Sequence, residues 1–238
     1  MVKVAISGIC GKMGRRILNI AKDTDEVKVV LGLESSGHPD VGKKIDDVQV
    51  LDDIQKINEC DCLIEFTTPD ATISHLKSLV NNKKPVVIGT TGLTDAQQDE
   101  LKEASKIIPV VLAPNMSVGV NLLFELVKSA AAILKGYEVL VSEAHHIHKK
   151  DAPSGTAKKI AQIINGEGLG LKTEDIESVR EDEIVGDHKI VFDSPVDRIE
   201  LAHSAKTRDI FAEGAVKAAL WIVSKEPGLY SMKDVLSL

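Results

Sequence analysis

The chain has 238 residues and a formal net charge of −7, with 43% hydrophobic and 27% charged residues. This length allows one large or two modest domains, whereas the negative charge and 3% aromatic content argue against a nucleic-acid partner. No run of about 18 apolar residues exists and Met1 leads directly into the first predicted strand, so we expect neither a membrane span nor a signal peptide. Three cysteines cannot form a full disulfide set, which predicts a reducing, cytoplasmic location.

The first predicted elements are a strand, a glycine-containing turn and a helix. Val2–Ser7 is a β-branched run typical of a buried parallel strand, and apolar residues recur at helical spacing from Lys12 to about residue 22. The turn Gly8–Gly14 lies between them, where glycines allow a pyrophosphate to approach the backbone at a helix start. Its spacing differs from the usual G-x-G-x-x-G, because Cys10 and Met13 stand at the second and third glycine positions.

An acidic residue closes the second predicted strand. Val27–Leu33 is apolar, and Glu34 follows it about 20 positions after the turn, where a carboxylate can bond ribose hydroxyls. A merely tight turn is the alternative interpretation of the glycines. The order strand, turn, helix, strand and Glu34 favours a dinucleotide site.

Strands and helices continue to alternate as far as Ser117. This pattern predicts a Rossmann-like, doubly wound parallel sheet of the α/β class, with ligands at the carboxyl ends of its strands. The loops Gly89–Thr91 and Ala113–Met116 follow two of these strands, so we expect both at the same edge as the glycine turn. The further predicted elements are strands at Asp61–Phe66, Pro85–Gly89 and Pro109–Ala113, and helices from Thr67 to about Val80 and from about Asp95 to Lys106.

The pattern changes after Ser117 to strands with little helix between them. This change predicts a second domain of the α+β type with antiparallel pairing, in an antiparallel or mixed sheet with helices. We place the first domain at residues 1–117 and 209–238 and the second at 118–208. The predicted elements are helices from Gly119 to about Leu134, Pro153 to Asn165 and Glu213 to Ser224, and strands at Tyr137–Ala144, Ile176–Arg180, Lys189–Asp193 and Asp197–His203.

The stretch Glu143–Thr156 combines proton-transfer groups with a helix start. Three histidines and two lysines lie within six positions, before Pro153 and Ser154, which suit the beginning of a helix. The unpaired N–H groups of such a start favour negative charge, and Gly155 lets a ligand approach closely. The combination predicts an enzyme acting on a small acidic substrate. The alternative is a polar loop with coincidental histidines.

The chain resembles the bacterial 4-hydroxy-tetrahydrodipicolinate reductases, also called dihydrodipicolinate reductases, of lysine and diaminopimelate biosynthesis. The resemblance rests on Glu143–Thr156 and Gly8–Gly14 and also covers Gly89–Gly92, Asn115–Asn121 and Gly214–Trp221. It implies NADH- or NADPH-dependent reduction of a small dicarboxylate, 4-hydroxy-tetrahydrodipicolinate, to tetrahydrodipicolinate. It also implies a first domain that binds the dinucleotide, and a second that binds substrate and forms a homotetramer.

The resemblance further implies roles for individual residues. His145 matches the position assigned as proton donor or acceptor, and Lys149 matches the one assigned as proton donor. The implied substrate-binding residues are His146, Ser154, Gly155 and Thr156, and the implied cofactor-binding residues are Gly8, Ile9, Cys10, Gly11, Lys12, Met13, Glu34, Gly89, Thr90, Thr91, Ala113, Pro114, Asn115 and Met116.

Two departures from the family pattern affect these expectations. Many members follow the acidic residue with an arginine that pairs with the 2′-phosphate of NADPH, but Ser35 stands here. Ser35 cannot make a bidentate, charged contact, although Lys12 retains one cation. We therefore expect both cofactors to work, with NADH modestly favoured. The segment Gly168–Glu183 is shorter than in many members and lacks an Arg-x-Gly-x-x-Gly element.

Other function classes fit parts of the pattern. A semialdehyde-type dehydrogenase would share the first domain but usually needs a nucleophilic cysteine, and none lies in the second domain. A metal-dependent hydrolase would use His145, His146 and His148, but the H-E-x-x-H arrangement is absent. Cys60 and Cys62 lack a second ligand pair, so we expect no metal site. A non-catalytic dinucleotide sensor has no need of a proton donor beside an anion site.

Several residues also have a purely structural interpretation. Without the motif, Lys149 would be read as a solvated surface lysine, and Lys150 is read in that way. His148 either orients its neighbours or adds to a positive field, and His203 is expected to be structural rather than to face the site. His188, like His38 and His75, is expected on a loop or a helix surface.

Overall fold

The computed structural model describes all 238 residues, which form two compact units. Unit 1 comprises Met1–Ser117 and Phe211–Ser237, and unit 2 comprises Val118–Ile210 with Leu238. In chain order the elements are β1 Val2–Ser7, α1 Lys12–Lys22, β2 Val27–Leu33, β3 Lys44–Ile45, β4 Val48–Leu51, β5 Cys62–Glu65, α2 Pro69–Asn81, β6 Val86–Ile88, α3 Asp95–Ser105, β7 Pro109–Leu112, α4 Val118–Ile133, β8 Glu138–His145, α5 Gly155–Gly166, β9 Glu177–Arg180, β10 Gly186–Asp193, β11 Arg198–Ala205, α6 Asp209–Ile222, β12 Gly228–Tyr230 and α7 Met232–Leu236.

Unit 1 contains an eight-stranded sheet in the order β12-β7-β6-β5-β1-β2-β4-β3. All neighbouring strands are parallel except β3 and β4. The chain leaves β1 on one side for β2 and later returns to its other side with β5, which makes β1 the switch point of the sheet. The expected Rossmann-like, doubly wound sheet is therefore confirmed.

The register of the strands aligns their carboxyl ends. Ser7 at the end of β1 lies opposite both Leu33 and Glu65, and Glu65 lies opposite Ile88. The loops that follow these strands consequently begin at one edge of the sheet. This is the edge at which parallel sheets bind ligands.

The central strands of unit 1 are apolar on both faces because helices cover both. In β1, Val4 and Ile6 belong to one buried cluster and Ala5 to another, and the neighbouring residues Leu63 and Ile64 of β5 are divided in the same way. Such doubly buried strands have continuous apolar runs rather than alternating polarity.

Unit 2 contains a four-stranded sheet in the order β11-β10-β8-β9, with one face packed against helices. Val141, Ile190 and Phe192 of the sheet share a buried cluster with Val127 of α4 and Ile160 of α5. The sheet is mixed, because β9 pairs with β8 in parallel whereas β10 is antiparallel to both of its neighbours. This mixed sheet agrees with the expectation of an antiparallel or mixed sheet with helices, and α5 supplies the crossover connection that the parallel pair β8–β9 needs.

The structure differs from the sequence-based elements in several places, and among them β10 begins at Gly186 rather than Lys189 and α6 begins at Asp209 rather than Glu213. The helix predicted to begin at Pro153 begins at Gly155, with Ser154 as its N-cap. The short strands β3, β4 and β12 were not predicted, because two to four residues have too little periodicity to be recognised. His188 was expected on a surface but is 5% exposed within β10. No helix in the chain combines the length and apolar character needed to cross a membrane.

Candidate active site

A hydrogen bond within the glycine turn closes the loop that follows β1. Gly8 has a φ of +75°, which favours glycine, and its carbonyl accepts a 3.0 Å hydrogen bond from the Gly11 N–H. A Cβ on Gly14 would lie 2.1 Å from the Gly8 oxygen, so the turn admits only glycine there. The helix α1 begins at Lys12 without a side-chain cap, and Lys12 is exposed. This turn and uncapped helix start fit a dinucleotide pyrophosphate, which needs close backbone approach and N–H donors.

Glu34 lies directly after β2, beside the glycine turn. Its Oε1 accepts a 2.8 Å hydrogen bond from the Cys10 N–H, and its Oε2 accepts a 3.3 Å hydrogen bond from the Ser35 N–H. The carboxylate proposed for ribose hydroxyls therefore also joins the turn to β2. Burial, and then the negative charges of Glu34 and Asp40, raise the pKa of the Cys10 thiol to about 11.

Near this turn, three side chains lie close enough to one another to bind a metal ion, namely those of Cys10, His38 and Asp40. One ligand atom from each lies within 4.8 Å of the others. The Asp40 N–H donates a 3.2 Å hydrogen bond to His38 Nδ1, and Lys43 Nζ lies 3.4 Å from the Asp40 carboxylate. These contacts within the loop after β2 already engage two of the three side chains, those of His38 and Asp40.

The loop after β6 combines buried and exposed residues. Gly89 packs against the Phe66 ring, since a Cβ there would lie 2.1 Å from the ring carbon Cζ. Thr90 is buried, and its hydroxyl oxygen accepts a 3.3 Å hydrogen bond from the Thr67 N–H. Thr91 is exposed. Of these residues, Thr91 presents its side chain outward, whereas Thr90 holds the loop in place.

The other predicted cofactor-binding residues also include both buried and exposed members. Ile9, Ala113 and Met116 are buried in unit 1, so only their backbone atoms are suited to contact a ligand. Pro114 is exposed, and Asn115 Oδ1 accepts a 2.9 Å hydrogen bond from the Ser117 N–H. The structure brings all the predicted loops to one edge of the sheet, but the sequence could not separate their inward-facing from their outward-facing members.

In unit 2, four polar side chains form a line across the sheet. Glu143 of β8 is in register with Ser178 of β9 and with His188 of β10, and His188 is in register with His203 of β11. The rings of His145 and His188 meet edge to face, with centroids 5.3 Å apart. This line lies at the end of β8 that carries the histidine motif.

Glu143 is the centre of this group. It is 2% exposed, and its carboxylate accepts hydrogen bonds from His145 Nδ1, from the Ser154 N–H at 3.2 Å, and from Arg180 at 2.8 and 3.0 Å. Burial by itself raises the pKa of Glu143, but the hydrogen bonds, first among them those from Arg180, lower it overall. Glu143 is therefore ionised at neutral pH.

His145 is consequently a neutral imidazole with a defined tautomer. An ionised carboxylate only accepts, so the hydrogen must be on the Nδ1 of His145 that faces Glu143. Burial lowers the pKa of His145 and outweighs the opposing effect of Glu143, and the charges of Lys149 and Arg180 lower it further. The Nε2 atom is thus the accepting end of the ring. Gly186 leaves room for it, because a Cβ there would lie 3.0 Å from Nε2.

The lysines and the remaining histidine of the motif differ in their surroundings. Lys149 Nζ lies 2.9 Å from Asp151 Oδ1, and its side chain is 22% exposed. This hydrogen bond lowers the pKa of Asp151. His148 and Lys150 are exposed, and His148 Nε2 lies 3.9 Å from a carboxylate oxygen of Glu183. Lys149 is therefore the half-buried cation of the motif.

Two features of unit 2 fit an anionic ligand. Arg208 donates a 3.2 Å hydrogen bond to His146 Nε2, and the buried His146 Nδ1 has no hydrogen-bond partner in the chain. At the start of α5, Gly155 is exposed with open space where a Cβ would be. Ser154 is 2% exposed and its hydroxyl accepts a 3.2 Å hydrogen bond from the Ala157 N–H, so this residue caps the helix rather than presenting its hydroxyl outward.

Comparison with known proteins assigns the chain to a family. A family model described as "Dihydrodipicolinate reductase, N-terminus" matches residues 2–116, and one described as "Dihydrodipicolinate reductase, C-terminus" matches residues 119–236. The chain belongs to the dihydrodipicolinate reductase family. As a member it is an NAD(P)H-dependent oxidoreductase.

Individual dihydrodipicolinate reductases match along the full chain. Proteins named 4-hydroxy-tetrahydrodipicolinate reductase from Geotalea uraniireducens and Aquifex aeolicus are 41% and 42% identical in gapped alignments of 266 positions, covering all of this chain and 100% and 99% of theirs. The structure of dipicolinate-bound dihydrodipicolinate reductase from Paenisporosarcina sp. TG-14 is 26% identical, with a TM-score of 0.83 over 97% of each chain. A probable dehydrogenase from Thermotoga maritima shares the fold at 13% identity, with a TM-score of 0.65 over 99% of this chain and 93% of its own.

Sequence reasoning missed several residues that contact the predicted site residues. Arg180 was only the last residue of a predicted strand, Arg208 only the last residue of the predicted second domain, His188 was placed on a surface, and Asp151 was given no catalytic or binding role. For Arg180 and His188 the signal that identifies them is strand register, since Arg180 lies opposite His145 and His188 opposite Glu143. Register between distant strands is not readable from one sequence.

Proposed function

We propose that the chain reduces 4-hydroxy-tetrahydrodipicolinate to tetrahydrodipicolinate with NAD(P)H, in lysine and diaminopimelate biosynthesis. The observation that carries this proposal is the hydrogen-bonded pair Glu143–His145 with the half-buried Lys149, next to the exposed start of α5 in unit 2. Family membership over the full chain supports it. The dicarboxylate dipicolinate bound to the Paenisporosarcina relative supports the class of substrate.

Unit 1 would hold the dinucleotide. The backbone of Gly8–Met13 and the start of α1 would bind the pyrophosphate, and Glu34 would accept hydrogen bonds from the ribose hydroxyls. Gly89–Thr91 and Ala113–Met116 would line the ribose and nicotinamide. When bound, the dinucleotide supplies the hydride that reduces the ring after loss of the 4-hydroxyl.

Unit 2 would bind the two carboxylates of the substrate. His146 would bind one carboxylate together with Arg208, which donates to its Nε2, and Gly155 and Thr156 offer the start of α5. Ser154 would contribute through the helix start that it caps, since its hydroxyl is engaged inside. Positive charge from Lys149 and Arg208 would both attract the dicarboxylate and compensate negative charge as hydride arrives.

The proton that balances the hydride would come from Lys149. His145 carries its hydrogen on Nδ1 and faces Glu143, so its Nε2 is an acceptor and donates only after taking up a proton. The ammonium group of Lys149, by contrast, has three donor hydrogens. We therefore assign proton donation to Lys149 and assign to His145 the acceptance of a hydrogen bond or proton at Nε2.

The cofactor, assembly and location follow as further proposals. Both NADH and NADPH would work, with NADH modestly favoured, because Glu34 opposes a 2′-phosphate and Ser35 offers no cation. A homotetramer formed through unit 2 is supported by large apolar side chains that are nearly half exposed there, at Leu122, Leu126 and Leu140. Light scattering on the purified protein would measure the assembly. A cytoplasmic location accords with three free cysteines.

Oxidation of NADH and NADPH, followed by nicotinamide absorbance with substrate freshly generated by the preceding pathway enzyme, tests the reaction. Lys149→Met should lower kcat roughly 10²–10⁴-fold while nucleotide still binds. The neighbouring exposed lysine supplies a matched control, since Lys150→Met should leave kcat unchanged. Absence of substrate-dependent oxidation by the wild type would reject the proposed function, and normal turnover by Lys149→Met would reject its role as acid.

A further inference from the structure

Arg180 makes an unusual set of contacts for a residue at the end of a strand. Its two terminal nitrogens donate to both oxygens of Glu143, at 2.8 and 3.0 Å, and one of them also donates to the backbone oxygen of Asp151 at 2.6 Å. The other donates to the oxygen of Val179 at 2.6 Å. Its side chain is only 18% exposed. One guanidinium therefore joins β9 to β8 and to the loop before α5.

The contacts of Arg180 with Glu143 and with Asp151 each lead to a proton-transfer residue. Glu143 receives the Nδ1 hydrogen of His145, and Asp151 holds Lys149 through the 2.9 Å contact with Nζ. The strand register reinforces the first connection, because Arg180 lies directly opposite His145 in the β8–β9 pair. No other side chain is hydrogen-bonded both to Glu143 and to the backbone of Asp151.

We propose that Arg180 is a positioning residue of the reductase, which holds His145 through Glu143 and Lys149 through Asp151 in one arrangement. This inference rests on the proposed function of that site. Arg180 donates to protein groups and need not touch substrate; its role is to keep the two proton-transfer groups mutually oriented. A displacement of about 1 Å in such a group is enough to cost roughly 10²-fold in rate.

The chemistry of the contacts requires arginine. The planar guanidinium donates in several directions at once and matches a carboxylate with two parallel hydrogen bonds. A lysine keeps the charge but places it at one point, so it cannot bond both oxygens of Glu143 and the Asp151 carbonyl in the same geometry. Arg180→Lys therefore separates positioning from charge.

The charge of Arg180 also acts on His145. The charged and titratable groups that face this ring are Glu143 on its own strand, Arg180 on β9, Lys149 on the following loop and His188 on β10, with His203 beyond His188. The positive charge of Arg180 is one of the influences that lower the pKa of His145. Its removal in Arg180→Gln should raise that pKa, so that His145 becomes protonated at a higher pH.

The experiment compares the full-length wild type with Arg180→Lys, Arg180→Gln and the control Arg198→Lys. Arg198 is a half-exposed arginine in β11 that pairs with Glu200 at 2.9 Å, so its variant makes the same substitution outside the site. Steady-state kcat and KM are measured with each purified enzyme. The ¹⁵N resonances of the His145 ring, assigned with a His145→Gln variant, report which nitrogen carries hydrogen.

We expect wild-type His145 to be protonated on Nδ1 and not on Nε2 at neutral pH. Arg180→Lys should lower kcat roughly 10- to 100-fold and disturb this tautomer signal, while the KM for NADH stays within about twofold. Arg198→Lys should match the wild type. The acidic limb of the kcat–pH profile should move to higher pH in Arg180→Gln.

Three results would overturn the proposal. One is a wild-type ring with hydrogen on Nε2, which needs no variant and so holds even if Arg180→Lys does not fold. Another is an Arg180→Lys enzyme with normal kcat. The third is a loss of kcat with unchanged His145 resonances, which would indicate a merely structural role. Failure of the proposed function appears separately, as a wild type that does not oxidise NAD(P)H with the substrate, and the ring resonances then still test Arg180.

Discussion

His188 should make the protein sensitive to mild acid. Burial in β10, followed by the electrostatic effect of protonating the neighbouring His145, lowers the pKa of His188 from 6.5 to about 4. The folded state therefore favours the neutral ring, whereas the unfolded chain takes up a proton below about pH 6.5. The stabilisation is complete above that pH and is lost as the pH falls towards about 4.

The size of this effect follows from the two pKa values. A difference between 6.5 and about 4 corresponds to roughly 3 kcal/mol in total, at about 1.4 kcal/mol per pKa unit. Between about pH 8 and pH 5 the fold should lose about 2 kcal/mol of this. His145 and His203, whose pKa values burial also lowers, contribute with the same sign. Glu143 and Asp151 lose stabilisation only at lower pH, since their pKa values lie below the ordinary carboxyl range.

Urea unfolding followed by circular dichroism at several pH values measures this dependence. Between about pH 8 and pH 5 the free energy of unfolding should fall in both proteins. The fall should be smaller in His188→Gln, by about 2 kcal/mol, because this variant lacks the buried ring. His148→Gln is the matched control, because the His148 side chain is 74% exposed and its variant should follow the wild type. Parallel curves for the wild type and His188→Gln would show that the buried ring is not the source of acid sensitivity.

Two further predictions concern unit 1. Ser35→Arg should shift the ratio of kcat/KM for the two cofactors towards NADPH, because it adds a partner for the 2′-phosphate beside Glu34. If the new contact stabilises the transition state with NADPH by about 1.4 kcal/mol, the ratio changes roughly tenfold. An unchanged ratio would mean that another residue sets the preference. Gly14→Ala should weaken NADH binding in a fluorescence titration and cost roughly 1–3 kcal/mol of stability, since its Cβ would lie 2.1 Å from the Gly8 oxygen. Gly170→Ala is the control, because open space surrounds that position, and equal effects of the two substitutions would contradict the steric argument.

The sequence by itself determined the features that depend on neighbouring residues. The β-branched run of β1, the glycines of the following turn and the amphipathic spacing of α1 identify a strand–turn–helix unit because each is a local steric or hydrophobic preference. The alternation of such units leads to the parallel sheet. The motif Glu143–Thr156 likewise places its chemistry on consecutive residues, so its proton-transfer groups and helix start could be recognised without a structure.

Tertiary structure alone decided how the motif is held. Glu143 meets Arg180 and His188 only because β8 pairs with β9 on one side and β10 on the other in a particular register. A shift of one residue would turn every side chain to the other face of the sheet, and a single sequence does not specify that register. The tautomer of His145 depends on the same pairing, since the ionised Glu143 is stabilised by Arg180.

The short strands also depend on tertiary structure rather than on local sequence. β12 has three residues, a length with no recognisable period, and it becomes a strand because β7 offers an unpaired edge. Thr90 and Thr91 are identical in type and adjacent, yet the first is buried and the second exposed. Sequence determines which backbone and side-chain chemistry is available, and packing between distant segments determines which of these groups face inward and which face a ligand.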